Sequence, residues 1–230
     1  MAFQPIVDLN GDSVFAYESL VRGPNGESAS EVLRRVNEEN RYAFDQACRV
    51  KAIELASGLG MNSLLSINFL PNAVYNPEAC IQTTLRAAKD FNFPQRNIIF
   101  EVTEGEKVTD HGHLKSIFDE YKRLGFKTAI DDFGAGYSGL NLLAEFQPDI
   151  IKLDRALIMG IDQDHVRQTI VGAVLSVTRE LGIDVIAEGI ETTEESQTLR
   201  DLGVRLFQGY LLAHPQTGTL PEYVSQERNS

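Results

Sequence analysis

The stretch FKTAIDDFGAGYSGL, residues 126–140, sets two adjacent carboxylates, Asp131 and Asp132, between a strand-like run and a glycine-bearing loop. Neighbouring charges repel and cost desolvation, so such a pair gains a fold little unless a cation or a proton separates them. The same layout recurs along the chain. The apolar runs LLSIN (64–68), NIIFEVTE (97–104), DIIKLD (149–154), DVIAEGIE (184–191) and RLFQGYLLA (205–213) each carry polar residues towards their C-terminal side. Between them lie ACIQTTLRAAKDF (79–91), HLKSIFDEYKRLG (113–125), HVRQTIVGAVLSVTRELG (165–182) and EESQTLRDLG (194–203), which have helical periodicity and in three cases close on glycine. Strands alternating with helices predict a mostly parallel sheet. At 230 residues a closed (β/α) barrel is expected, with an open doubly wound sheet as the alternative.

In parallel α/β folds the C-terminal strand ends share one face. Asn68, Glu101, Glu104, Asp131, Asp132, Lys152, Asp154, Glu188, Glu191 and Gln208 are therefore expected to converge as a ring of acids around one lysine. Near the N-terminus, VFAYESLVRG (14–23) is a further strand-like run. In an extended segment Glu18, Leu20 and Arg22 point to one side, offering a carboxylate to a metal and a guanidinium to a phosphate.

Composition narrows the partners. The chain is 43% hydrophobic and 23% charged, as expected of a globular protein with a large core, and no linker-like tract divides it. A net charge of −12 argues against a nucleic-acid polymer as ligand. An anionic ligand would need bound cations to reverse the local field. No run approaches the roughly 18 apolar residues of a membrane helix, and the start MAFQPIVDLNGD does not read as a leader, so a cytoplasmic protein without membrane insertion is expected. Cys48 and Cys80 read as reduced, mostly buried thiols. DHGH (110–113) reads as a helix entrance, NEENR (37–41) as a solvated helical face, Asp149 and Asp184 as turn or cap residues, and SQERNS (225–230) as a frayed tail.

Hard oxygen ligands without cysteine or clustered histidine select Mg²⁺ or Mn²⁺ over zinc or copper. Two such ions about 3.5–4 Å apart, bridged by a carboxylate, form the usual arrangement for in-line attack at phosphorus. One aspartate of the pair could bridge both ions while its neighbour completes one shell. The glycines after Asp132 match neither G-x-x-x-x-G-K-[ST] nor G-x-G-x-x-G, and no G-x-S-x-G elbow is present, so a loop covering metals fits them better.

Taken in order, the motifs FQPIVDL, YESLVRG, SINFLP, FEVTE, AIDDFGAGYSGL, DIIKLD, IAEGIET and FQGYLLA resemble the EAL-domain family of cyclic-di-GMP phosphodiesterases. The resemblance implies a TIM-type (β/α)8 barrel with one antiparallel strand over residues 1–218, followed by a tail over 219–230. It implies hydrolysis of one phosphodiester bond of cyclic-di-GMP to linear pGpG, with two Mg²⁺ or Mn²⁺ ions and inhibition by Ca²⁺. By the same resemblance Glu18, Asn68, Glu101 and Asp131 look like ligands of one metal, and Asp131, Asp132 and Glu188 of the second. Lys152 would hold or deprotonate the attacking water, Gln208 would orient it, and Arg22 would contact a substrate phosphate. Gln4, Asp154 and Glu191 would line the guanine and ribose pockets, while Glu104 would anchor the loop after Asp132. The family further implies a homodimer and a sensory or GGDEF-type regulatory domain or partner.

The chain departs from the pattern at ESL, where Ser19 replaces alanine, and at Ala135 and Gly139, which replace hydroxyl residues and predict a more flexible loop. Ser19 is expected to face away from Glu18. Because the sequence opens on the first motif, it reads either as a stand-alone protein or as a fragment of a larger one. The competing reading is a catalytically silent receptor or interaction module, and its sign would be the loss of a ligand position. None is lost.

Overall fold

A computed structural model describes residues 1–104, 111–136 and 139–223. The tail SQERNS, and Asp110 with the side chain of His111, lie outside the described residues. Nine strands are described: β1 (Ala2–Asp8), β2 (Ser13–Leu20), β3 (Leu64–Asn68), β4 (Ile98–Thr103), β5 (Lys127–Phe133), β6 (Ile150–Leu153), β7 (Asp184–Ala187), β8 (Leu206–Phe207) and β9 (Gln216–Thr217). The helices are α1 (Ala29–Leu33), α2 (Arg41–Gly58), α3 (Pro77–Asp90), α4 (His111–Arg123), α5 (Gly139–Glu145), α6 (Arg155–Ile158), α7 (His165–Leu181) and α8 (Thr193–Leu202).

Strands β2 to β8 pair in parallel in sequence order, and β1 closes the ring by pairing antiparallel with both β2 and β8. The result is an eight-stranded barrel with one reversed strand, and β9 pairs with the start of β1 on the edge whose other end pairs with β8. The open sheet is thereby excluded.

Side chains alternate inward and outward along each strand. Ile6, Ala16, Ile99, Ala129, Ile150, Ile186 and Leu206 fill the inside of the barrel as one small apolar cluster. The outward residues meet the helices in the main core, which includes Phe3, Leu65, Ile67, Phe69, Phe100, Ile130, Ile151 and Phe207. Two residues further along each strand from the inner apolar layer stand Gln4, Glu18, Ser66, Glu101, Asp131, Lys152, Glu188 and Gln208. The reversal of β1 explains why Gln4, near the start of its strand, belongs to this second layer: it pairs with Glu18.

Helices α3, α4, α7 and α8 match the expected segments. Helix α2 has no counterpart in the sequence reading, because its buried residues include Asp45, Gln46 and Arg49 beside Ala52, Ile53 and Ala56. NEENR is a solvated turn leading into α2 rather than a helical face. Asn37 Oδ1 accepts the amides of Glu39 and Asn40, and Asn40 Oδ1 accepts that of Asn37, the local competition with helix that asparagine favours. Asp149 accepts from the amide and hydroxyl of Thr128, and Asp184 pairs with Arg205, both in structural roles. Cys80 is buried and Cys48 half-buried, both free. A ring nitrogen of His113 meets the carbonyl of Val74.

Candidate metal centre and substrate cavity

Lys152 projects from β6 into the barrel mouth, where it is 1% exposed. Its Nζ lies 3.4 Å from Glu18, 3.1 Å from Glu101, 3.1 Å from Asp131 and 2.5 Å from Glu188. Four carboxylates from β2, β4, β5 and the end of β7 therefore share one ammonium. Asp132 adds a fifth by a local irregularity. Between β5 and β6 the pairing passes from Ile130↔Ile151 to Phe133↔Leu153, one extra residue on β5, and Asp132 adopts φ 54. This bulge breaks the alternation that would send neighbours to opposite faces, so Asp131 and Asp132 line the same cavity. The left-handed backbone of a non-glycine residue costs on the order of 1 kcal/mol.

When all five carboxylates are ionised, the cluster carries a net charge of four negative, the charge that two divalent cations balance. Two groups of carboxylate oxygens fall within 4.8 Å of one another: Glu18, Glu101 and Asp131, and Asp131, Asp132 and Glu188. Asp131 is common to both. The all-oxygen donor set, its charge and this spacing fit hard divalent ions.

Without metal, protons serve. Burial pushes Glu101 up to about 8 against the pull of Lys152, and pushes Glu188 well above the usual carboxylate range. Burial and the neighbouring charge of Asp131 raise Asp132 to about 6. Burial also opposes ionisation of Asp131, but Lys152 and hydrogen bonds from Glu188, Lys152 and the Asp132 amide hold it below its ordinary value. Burial likewise disfavours charge on Lys152, yet its four acidic neighbours keep it protonated well above the usual lysine range.

Gln208 donates through Nε2 to Glu18 (2.8 Å) and to Gln4 Oε1 (3.2 Å), and Gln4 in turn donates to the Ala213 carbonyl. The Oε1 of Gln208 is buried and has no hydrogen-bond partner among the described residues. Asn68 donates to Glu18 Oε1 at 2.9 Å. Glu104, buried at the end of β4, accepts the Gly134 amide at 2.7 Å, while its own amide donates to the Asp131 carbonyl. The backbone on both sides of Asp132 is thus tied to Glu104. Tyr137 and Ser138 of the same loop lie outside the described residues.

A cavity of about 350 Å³ opens over the cluster, with Gln4, Asp154, Glu191 and Gln208 in its wall. A second, more apolar cavity of about 300 Å³ shares Glu18 and Asp131 with it and includes Leu20 and Asn68. Arg22 lies in neither wall. Strand β2 ends at Leu20, so the alternation that would align Arg22 with Glu18 stops there, and the guanidinium donates to the Val21 carbonyl. Ser19 spends its hydroxyl on the Ser66 carbonyl, clear of the acids.

Three residues beyond the predicted set belong to this region. Ser66 donates to Glu101 Oε1 from inside the barrel. Arg155 lines the first cavity and bridges to the Gly189 carbonyl, Glu191 and Glu195, and Glu195 accepts the amides of Gly160 and Glu191. A serine two residues before Asn68 in an otherwise apolar strand was the available sign for Ser66. Nothing in the local pattern marks Arg155.

An acid-lined (β/α) barrel with a single lysine at its mouth defines a class of sites suited to divalent metal and an anionic ligand. The EAL domain family matches residues 1–215, and the chain belongs to that family. It is 55% identical, with a TM-score of 0.96, to a standalone versatile EAL protein from Vibrio cholerae O395 solved with c-di-GMP bound, covering 100% of this chain and 97% of that one. A Klebsiella pneumoniae BlrP1 manganese/cy-diGMP complex is 37% identical with a TM-score of 0.91, covering 96% of this chain and 57% of that one. Among curated Escherichia coli K12 relatives, the blue light- and temperature-regulated antirepressor BluF is 31% identical over 99% of this chain and 57% of its own length. The cyclic di-GMP phosphodiesterase PdeR is 34% identical over 68% of this chain and 23% of its own length. The chain thus spans little more than half, or less, of these curated relatives. Among the described residues no helix is long and apolar enough to cross a membrane.

Proposed function

We propose that the chain is a metal-dependent phosphodiesterase that hydrolyses one phosphodiester bond of cyclic-di-GMP to linear pGpG. The observation that carries the reading is the pair of carboxylate groups sharing Asp131 around Lys152. Glu18, Asn68, Glu101 and Asp131 would hold one Mg²⁺ or Mn²⁺, and Asp131, Asp132 and Glu188 the other. Such ions lower the pKa of bound water and stabilise charge on the phosphoryl and leaving oxygens.

The chain's own residues supply the rest. Lys152, kept protonated by its acidic neighbours, donates a hydrogen bond that fixes the nucleophilic oxygen; it becomes a base only where bound cations offset those acids. Gln208 Oε1, without a partner among the described residues, accepts from the same water. Water oxygen bonds to phosphorus, the P–O3′ bond breaks, and the water proton passes to the departing oxygen through solvent. Gln4, Asp154 and Glu191 contact the guanine and ribose groups from the cavity wall. Glu104 anchors the loop after Asp132. In the arrangement described, Arg22 would reach a phosphate only by leaving the Val21 carbonyl.

We assign the unit to residues 1–218, with 219–230 as a tail, in the bacterial cytoplasm and under a sensory or GGDEF-type domain or partner. A homodimer is supported by the outer face of α7, where Val166, Ile170, Val177 and Leu181 are exposed opposite buried Val171, Val174 and Leu175. The test is chromatography of cyclic-di-GMP incubated with the protein in chelator, Mg²⁺, Mn²⁺ or Ca²⁺, beside Glu18→Ala and Lys152→Ala. Product is expected with Mg²⁺ or Mn²⁺ only and is expected to disappear in both variants. Binding without product would favour the receptor reading that the antirepressor relative raises; full turnover in chelator would overturn the metal mechanism.

A further inference from the structure

The sequence of α2 leaves a fully buried guanidinium outside the site. Arg49 is 0% exposed, with Nε 2.7 Å from Asp45 Oδ2 and Nη1 donating to Tyr121 Oη at 2.7 Å. Its planar face sits among three rings, with Cζ 5.4 Å from the centroid of Phe69, 4.9 Å from Phe100 and 5.7 Å from Tyr121. A buried ion pair contributes little net stability compared with an apolar replacement, and often costs some. Its presence here therefore calls for a reason other than stability.

The contacts supply one. Phe69 follows Asn68 on leaving β3, and Phe100 precedes Glu101 on β4, so the rings that cage Arg49 belong to the outward residues beside two candidate metal ligands. Asp45, held by Arg49, accepts the Leu70 amide through Oδ1 at 2.9 Å. The Phe69 amide donates to the Glu101 carbonyl at 3.0 Å, locking the two strand ends to each other. The Arg49–Asp45 pair thus holds Phe69, Leu70 and Phe100, the neighbours of Asn68 and Glu101, from behind, while Tyr121 ties the pair to α4.

We infer that Arg49, with Asp45, is a positioning residue that presents Asn68 and Glu101 to the metal cluster from the outer side of β3 and β4. The inference rests on the metal reading above. A rigid fork does this where a flexible apolar side chain would not, because its ion pair holds the Asp45 carboxylate while its hydrogen bond to Tyr121 and its ring contacts hold the aromatic cage. Partners that orient metal ligands through such contacts typically govern affinity by about 10–100-fold.

The experiment uses metal-stripped full chain in three forms: wild type, Tyr121→Phe, which removes only the acceptor of Nη1, and the double variant Asp45→Asn with Arg49→Met. Mn²⁺ affinity is measured calorimetrically, exchange of the segment 68–72 amides by mass spectrometry, and folding by thermal melting. The double variant is expected to remain folded, to bind Mn²⁺ at least about tenfold more weakly, and to exchange the Leu70 amide faster even without metal. Its turnover should recover towards wild type at high Mn²⁺. Tyr121→Phe should move every readout the same way by less, and it decides the matter if the double variant does not fold. Folded variants with unchanged Mn²⁺ affinity and unchanged exchange would overturn the inference alone. A wild type that takes up no Mn²⁺ would overturn the metal reading and the inference with it.

Discussion

Glu101→Gln in metal-free protein is expected to flatten the pH dependence of stability. Glu101 is fully buried, and its pKa rises from 4.5 to about 8 in the fold. A carboxyl whose folded pKa is raised gives its stabilisation in full below the unfolded value and loses it as pH rises through the folded value. Over the window from about pH 4.5 to 8, that shift corresponds to roughly 5 kcal/mol as an upper bound. The cluster shares its protons, so a net loss of ~2–5 kcal/mol is expected for the wild type. Asp132, raised to about 6, acts in the same direction but is partly solvated and adds less. Asp131, held below its ordinary value, acts only under pH 4. Glutamine mimics the protonated acid, since its oxygen can face Lys152 and its amide can donate to Ser66. Urea denaturation in chelator at pH 5, 6, 7 and 8 should therefore show wild-type stability falling with pH and a shallower fall for Glu101→Gln, in which buried Glu188 and Asp132 still titrate. With saturating Mn²⁺ the wild-type slope should reverse, because metal competes with protons for the same oxygens. A wild type whose metal-free stability rises with pH, or a variant that keeps the full slope, would refute the burial argument.

Other outcomes follow from single contacts. Gly209→Ala drives a Cβ into the backbone nitrogen and oxygen of Ile190, so it should lower stability by about 2 kcal/mol or more. It should also disturb adjacent Gln208, a change readable by melting and by turnover. Glu104→Ala strips the acceptor from the Gly134 amide. It should cost about 1–3 kcal/mol and weaken Mn²⁺ binding, which calorimetry would detect. Lys152→Met removes the ammonium among four acids and should abolish turnover. Its metal-free stability loss of about 3–5 kcal/mol should shrink at pH 5, where the acids protonate, as denaturation curves at pH 5 and 8 would show.

The barrel was legible because each strand repeats one pattern, an inward apolar residue followed two positions later by an inward polar one. That period needs no tertiary information, and it predicts the convergence of Glu101, Asp131, Lys152, Glu188 and Gln208. What it could not supply were departures from regular backbone. The bulge that turns Asp132 into the cavity depends on the pairing of β5 with β6, and the end of β2 at Leu20 removes Arg22 from the face that alternation would give it. Helix α2 escaped for a different reason. Its buried face carries Asp45, Gln46 and Arg49, which read as solvent-facing until Tyr121 and Phe100, distant in sequence, enclose them. Arg155 was hidden likewise, since Gly189, Glu191 and Glu195 reach it only after β6 and β7 pair.

The most direct test is diffraction from crystals grown with Mn²⁺ and cyclic-di-GMP, recorded at the manganese absorption edge. Two anomalous peaks about 3.5–4 Å apart, with Asp131 between them and Lys152 beside them, are predicted. A single peak, or two peaks away from Asp131, would contradict the shared-carboxylate centre on which the proposed hydrolysis depends.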